Sequence, residues 1–331
     1  MKRTYKVVLT FVIIFILVVG FYYGYEKTKP VTVIIPPSPP PAGSNNSTSP
    51  PPTSSNHSAY LAHVIGTAYS QYNYVPLKYG AIGTDLWNLK SATGNTNMTV
   101  EDSGFLYVNS TFSNVKSDYD TILGYPEVAY GYNLEDEMFG NKQSSEIKFP
   151  MGFSQFKNLT FDSTVNYSFT NLSPSSIPID FSYDLWLEEN PSQNVEPNQN
   201  DLEVMIWMYC QDNQPIGEKI GTFSSNITFN HKTYDAQWAV WFGKANAWPT
   251  VSFVLTNPAV LRNSNISLNI SKFIDYGGIV SKENMLNHTL MGIEMGNEFG
   301  NENIARNISD WVINYYAFSV GNETVRIIGR E

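Results

Sequence analysis

The sequence predicts an all-β chain, folded as a two-sheet antiparallel β-sandwich with one short helix. Three observations carry this. Short alternating or apolar runs recur between residues 104 and 320, and aromatic and β-branched side chains dominate them. Asn, Gly, Pro and Ser clusters separate the runs at turn-like intervals. No repeat period and no second domain boundary interrupts the stretch from residue 59 to residue 331.

The strands predicted in order are Gly104–Val108, Ser163–Phe169, Ile179–Leu187, Leu202–Tyr209, Ala236–Phe242, Thr250–Leu255, Met291–Met295 and Trp311–Val320. One stretch departs from this pattern. Asn265 to Tyr276, with Ile266, Leu268, Ile270, Phe273 and Ile274, predicts the helix, starting after a Ser264 cap and packed on one sheet.

Ahead of the sandwich lie two segments of different character. Lys2, Arg3 and Lys6 precede an apolar run from Val7 to Tyr25, close to the roughly 20 residues of one bilayer crossing. Residues 1–29 therefore read as a transmembrane or signal helix, either retained as a membrane anchor or cleaved. Residues 30–58 read as a disordered linker, because from Pro36 to about Ser58 the chain is Pro, Ser, Thr and Asn with almost no apolar side chains to bury. Both segments point to an extracellular domain, secreted or tethered to the cell membrane.

Composition narrows the class of function. Charged residues make up 15% of the chain, against about 25% in an average protein, and the net charge is −10. So few lysines and arginines argue against a nucleic-acid partner. A surface of Ser, Thr, Asn and Tyr changes charge little in acid, which predicts an acid-tolerant protein. Fourteen Asn-x-Ser/Thr sequons, from Asn45 to Asn322, predict a glycosylated surface. The single cysteine, Cys210, cannot form an internal disulfide and reads as a buried thiol without chemistry. His57, His63, His231 and His288 lack metal-ligand spacing, so neither metal nor cofactor is expected. Nothing in the chain calls for self-association, and a monomer is expected.

One carboxylate demands an explanation. In a strand from Leu202 to Met208, Leu202, Val204, Ile206 and Met208 share the core face, whereas Glu203, Met205 and Trp207 share the other. Burying Glu203 without partners is expensive, so its face is expected to open on a cleft. An acid flanked by an indole suits a sugar-cleaving site, which needs two carboxyl groups across the scissile bond. The run Met291–Gly300 offers Glu294 and Glu298 on one side of a strand, with Gly292 and Gly296 between them leaving room for a ligand. Asp184 shares a face with Trp186 and can tune a neighbouring acid. Trp186, Trp248 and Trp311 read as core, and Trp238 and Trp241 cannot both face one cleft.

The order Tyr183-Asp184-Leu185, Glu203-Val-Met-Ile-Trp207, Gln214-Pro-Ile-Gly217 and Gly296-Asn-Glu298-Phe299 resembles glycoside hydrolase family 12, the β-jelly-roll endoglucanases. Gly124-Tyr-Pro-Glu-Val-Ala-Tyr-Gly131 is similar to a cleft-lining segment of the family's archaeal branch, and the resemblance spans roughly Tyr79 to Tyr315. It implies a concanavalin-like jelly roll and a retaining endo-β-1,4-glucanase acting on β-glucan polysaccharide. It further implies Glu203 as nucleophile, Glu298 as general acid/base and Asp184 as support for Glu203. Trp87, Tyr125, Met205, Trp207 and Pro215 are then substrate-binding. Two positions depart from the family pattern: Phe299 stands where a proline is common, and Glu294 where a glutamine is. Glu294 reads either as a hydrogen-bonding residue or as a carboxylate that raises the pKa of Glu298. Xyloglucan and mixed-linkage β-glucan are alternative polymers, and a non-catalytic glycan-binding surface module is the alternative of another class.

Overall fold

The structure, a computed structural model, describes residues 60–330 except positions 120–121, 134–136, 174–176, 190, 192–196, 246 and 259–261. The predicted N-terminal helix, the linker and residues Glu135 and Asp136 lie outside the described residues. The chain divides into Met1–Ser55 and Asn56–Glu331, and every described residue belongs to the second unit. No helix among the described residues is long and apolar enough to cross a membrane.

Among the described residues eighteen strands follow one another as β1 Tyr60–Gly66, β2 Tyr74–Pro76, β3 Ala81–Gly83, β4 Leu89–Glu101, β5 Leu106–Ser117, β6 Glu127–Gly131, β7 Met151–Gly152, β8 Phe161–Leu172, β9 Ile179–Glu188, β10 Leu202–Gln211, β11 Glu218–Phe229, β12 Lys232–Ala245, β13 Trp248–Asn257, β14 Asn263–Asn269, β15 Thr289–Leu290, β16 Gly292–Gly296, β17 Arg306–Val320 and β18 Glu323–Ile328. Each predicted run falls in or overlaps a strand. Helix α1, Phe153–Phe156, is a single turn, and α2, Ile270–Ser281, is the one longer helix among the described residues.

Two layers emerge from the pairings. One runs β1–β4–β5–β17–β8–β14. The other runs β2–β3–β6–β16–β9–β10–β13–β12, and β11 joins the two by pairing with both β12 and β14. The pairs are antiparallel apart from β10 with β13, which are parallel. That pairing is long-range and cannot be read from alternation, yet it brings Thr250 beside Glu203.

The predicted helix begins later than its sequence suggested. Ser264, Ile266 and Leu268 are buried at period two, so residues 263–269 form β14, bonded to β8 on one side and β11 on the other. Helical spacing starts only at Ile270, with Phe273 and Ile274 one turn on, and Asn269 rather than Ser264 caps the helix by accepting from Lys272 N. Phe273 then packs edge-on against Trp238 at 4.8 Å and Phe253 at 5.1 Å. Cys210 is half-buried on β10 and donates to Asn213 O. Two sequon asparagines serve the fold: Asn269 as that cap, and Asn307, fully buried, through bonds to Asn301 O and Ile304 O.

Candidate active site

The site is built on one face of the second layer. Across neighbouring strands, Glu203 on β10 lies between Trp186 on β9 and Thr250 on β13. One step along, Met205 lies between Asp184 and Ser252, and Asp184 in turn faces Glu294 on β16. A further step sets Trp207 beside Ser182, Ser182 opposite Gly296, and Gly296 opposite Glu127 on β6. The alternation predicted for β10 is visible in the packing: Leu202, Val204, Ile206 and Met208 join the main core cluster, while Glu203, Met205 and Trp207 do not.

Glu203 is only 8% exposed and is held by two donors. Trp248 Nε1 donates to its Oε2 at 2.8 Å, and Thr250 Oγ1 to the same oxygen at 2.7 Å. Both bonds end on Oε2, so one oxygen is anchored and Oε1 takes no bond from the described residues. Trp248 is therefore not core: it is half-buried, meets Trp186 edge-on at 5.3 Å and supports the carboxylate. Its role escaped sequence reading because a tryptophan opening a strand ordinarily packs inward. Burial raises the Glu203 pKa, while these two bonds lower it by favouring the ionised form. Trp248→Phe keeps the ring and deletes the N–H. A hydrogen bond to a charged group contributes about 1.5–3 kcal/mol, and one pKa unit corresponds to about 1.4 kcal/mol. The acid-side limb of kcat/KM is therefore expected to move up by about one pH unit, as checked by a pH–rate profile beside the parent.

Around Glu203 the same face gathers Asp85, Glu127, Asp180, Asp184, Glu294 and Glu298. Burial first, and then the charges of Glu203, Glu127, Asp180 and Asp85, hold Asp184 well above the usual carboxylate range. Glu294 is raised by burial and then by Glu127, Asp184, Asp85 and Glu203. Burial also raises Glu127, whose Oε1 accepts from Tyr74 Oη at 2.6 Å and whose other contact is the Glu294 carboxyl. The leading charges acting on Asp184, Glu294 and Glu298 are those of other acids. Four buried polar atoms on this face, Asp184 Oδ1, Glu127 Oε2, Trp207 Nε1 and Ser252 Oγ, accept or donate no bond of the usual N–H or hydroxyl kind among the described residues.

Glu298 lies just past β16, half-buried, and its carbonyl accepts from Asp180 N at 3.1 Å. Phe299 is fully buried, stacks on Phe112 at 6.2 Å and bridges Gly124 and Ile179, which sets the chain direction at the position where a proline was expected. Gly292 and Gly296 differ from expectation in their purpose. A Cβ on Gly292 would meet Tyr130 O at 2.7 Å, and one on Gly296 would meet Pro126 O at 2.4 Å. The missing side chains therefore admit the neighbouring backbone of β6 rather than a ligand.

The other expected binding residues divide by exposure. Trp87 is half-buried in the turn between β3 and β4, two residues after Asp85. Met205 and Trp207 are buried beside Asp184 and Ser182. Tyr125 is 4% exposed and donates its hydroxyl to Ser182 O at 2.9 Å, so it props the cleft floor. Pro215 is buried in the β10–β11 turn, which closes at Gly217; there φ is +85° and a Cβ would meet Phe242 O at 2.1 Å.

These shifts fix how stability depends on pH. The buried acids titrate near 4 when unfolded but higher when folded, Asp180 at about 6 and Glu127, Asp184, Glu294 and Glu298 well above their ordinary values. Over that window the folded state binds more protons than the unfolded state, so stability falls as pH rises from about 4 through the folded values. The thermal midpoint is expected to be higher at pH 4 than at pH 8, and Glu294→Gln should flatten the difference. A midpoint that rises toward pH 8 in differential scanning calorimetry would refute this.

Comparison with known proteins follows the same lines. The profile of glycosyl hydrolase family 12 matches residues 79–320. No curated protein sequence matches the chain. Among solved structures, endoglucanase 3 of Trichoderma harzianum is 18% identical, with a TM-score of 0.57, covering 80% of this chain and 100% of its own. A xyloglucanase of Bacillus licheniformis is 18% identical, with a TM-score of 0.58 and coverage of 78% and 99%. An endoglucanase of Rhodothermus marinus is 17% identical, with a TM-score of 0.52 and coverage of 80% and 99%. At these identities the likeness is one of fold, and it identifies the two layers as the jelly roll of those enzymes.

Proposed function

Because the chain belongs to glycosyl hydrolase family 12, and is thus a glycoside hydrolase, we propose that it is a retaining endo-β-1,4-glucanase that cleaves internal bonds of cellulose and related β-glucans. The observation that carries the reading is Glu203 itself, a buried carboxylate anchored through Oε2 by Trp248 and Thr250, with Oε1 left for the substrate. Glu203 Oε1 attacks the anomeric carbon while Glu298 gives its proton to the departing glycosidic oxygen, which leaves a glycosyl ester on Glu203. Water then attacks that carbon, Glu298 takes the proton, and the ester breaks to free the sugar and the Glu203 carboxylate. Asp184, one residue pair away on β9, supports Glu203 as a protonated neighbour: burial and the Glu203 charge hold its proton on, which leaves it a donor rather than a second anion. Trp87, Tyr125, Met205, Trp207 and Pro215 are assigned to the substrate, the aromatic rings offering apolar faces to sugar rings.

The enzyme works in acid, since a cluster of buried acids whose pKa values are raised holds its protons there and loses stability as they leave. It acts outside the cell as a monomer, secreted or tethered through residues 1–29. A xyloglucan preference is the second reading, supported by the fold shared with a xyloglucanase. The test is incubation with carboxymethyl-cellulose, barley β-glucan and xyloglucan between about pH 3 and pH 7, the span over which carboxyl groups titrate. Viscosity, reducing ends and the anomer of the new end by proton NMR are followed together. Rapid viscosity loss with the β-anomer first supports the proposal. The α-anomer first overturns retention, and binding without cleavage overturns catalysis in favour of a glycan-binding module.

A further inference from the structure

Asp180, on β9, is fully buried, and the strand pairing in that layer carries it to a position opposite Glu298. Both of its carboxyl oxygens already accept bonds. Ser182 Oγ donates to Oδ1 at 2.7 Å and Asn213 Nδ2 to Oδ2 at 2.9 Å. Its backbone is fixed as well: Asp180 N donates to Glu298 O at 3.1 Å, and Asn297 Nδ2 donates to both Asp180 O and Glu298 O. The Glu298 side chain reaches this anchored carboxyl. Two carboxyl groups in hydrogen-bonding contact need a proton between them, and the one that accepts from two other donors is the better acceptor. We propose that Asp180 is a positioning residue that keeps the proton on Glu298, so that the general acid is loaded before the glucan arrives.

This assignment rests on Glu298 being the acid/base of the proposed reaction. Around the pair lie Asp184 on β9, Glu203 on β10, the Cys210 thiol opposite Asp180 and the Tyr125 phenol. Ser182 and Asn213 favour charge on Asp180, and that charge in turn disfavours charge on Glu298. Burial takes Asp180 to about 6, and burial together with the Asp180 charge holds Glu298 well above the usual carboxylate range. Neither Ser182 nor Asn213 touches Glu298, so both act on it through Asp180. Glu298 gives its proton away in the first half-reaction and takes one from water in the second, and a neighbour that remains a hydrogen-bond acceptor keeps the recovered proton on Glu298 for the next cycle.

The experiment is the pH profile of kcat/KM on barley β-glucan for Asp180→Asn and Asn213→Ala. Asp180→Asn removes the like charge, and the alkaline limb is expected to move down by about one pH unit or more, with the acid limb unchanged. Asn213→Ala, which alters only a turn residue, moves the same limb in the same direction by less, because the proton then favours Asp180. In parallel, carbon-13 NMR of glutamate-labelled protein in a Glu203→Gln background follows the Glu298 carboxyl directly, and its titration should fall with Asp180→Asn. An alkaline limb and a Glu298 titration that both stay put overturn the proposal, even when overall activity drops. If the NMR titration moves but Glu298→Ala retains full turnover, the pair is real, and it is the role of Glu298 as acid/base that fails, taking with it the loading of a general acid.

Discussion

Glu203→Gln is expected to lower kcat on β-glucan by about 10⁴-fold or more, the scale seen when one member of a nucleophilic constellation is removed, while the domain stays folded. The amide is nearly isosteric, and its carbonyl oxygen can still accept from Trp248 Nε1 and Thr250 Oγ1. Its nitrogen, turned to the cleft where Oε1 stood, has no lone pair for the anomeric carbon. The substitution also removes a buried group that must lose its proton to work. Charging it in the folded state costs free energy, so the variant should be at least as stable as the parent above neutral pH. Loss of activity with an unchanged or raised thermal midpoint identifies a nucleophile. Equal losses of activity and stability would mark a structural acid, and activity above a tenth of the parent's would remove Glu203 from the chemistry.

Elements with a dominant local signal were legible from sequence. Alternation along Leu202–Met208 separated the core face from the cleft face without any tertiary information, and the same holds for Asp184 with Trp186. The helix was placed too early because Ile266 and Leu268 satisfy a helical spacing as well as a strand, and only the pairing of residues 263–269 with β8 and β11 decides between them. What could not be read is what depends on register between distant strands. Trp248 and Thr250 reach Glu203 only because β13 runs parallel to β10. Asp180 carried no signal, since a single acid four residues before Asp184 looks like a solvated strand residue until Ser182 and Asn213 are seen bonded to it. Glycines 292 and 296 carried a signal with the wrong cause, because a sequence shows where a side chain is missing and not which neighbour requires the space.

The second large effect concerns Glu298, and it separates the two half-reactions. Glu298→Ala leaves a glucan without a proton for its departing oxygen, so cleavage of β-glucan is expected to fall by about 10²–10⁴-fold, the usual contribution of a general acid or base. An aryl β-cellobioside with a strongly acidic phenol needs no such proton. Its first step should proceed at near the parent's rate, and the glycosyl ester on Glu203 should then accumulate, because no base activates water for the second. The expected record is a burst of phenol equal to the enzyme present, followed by slow turnover, with the trapped ester seen on intact protein by mass spectrometry. Glu294→Gln provides the contrast. Glu294 sits directly opposite Asp184 and contacts Glu127, one strand pair from the nucleophile, so its neutral amide should shift the pH profile without producing a burst. A burst from the Glu294 variant and none from the Glu298 variant would exchange the two assignments: Glu294 would then be the acid/base, and Glu298, with Asp180, part of the wall beside it.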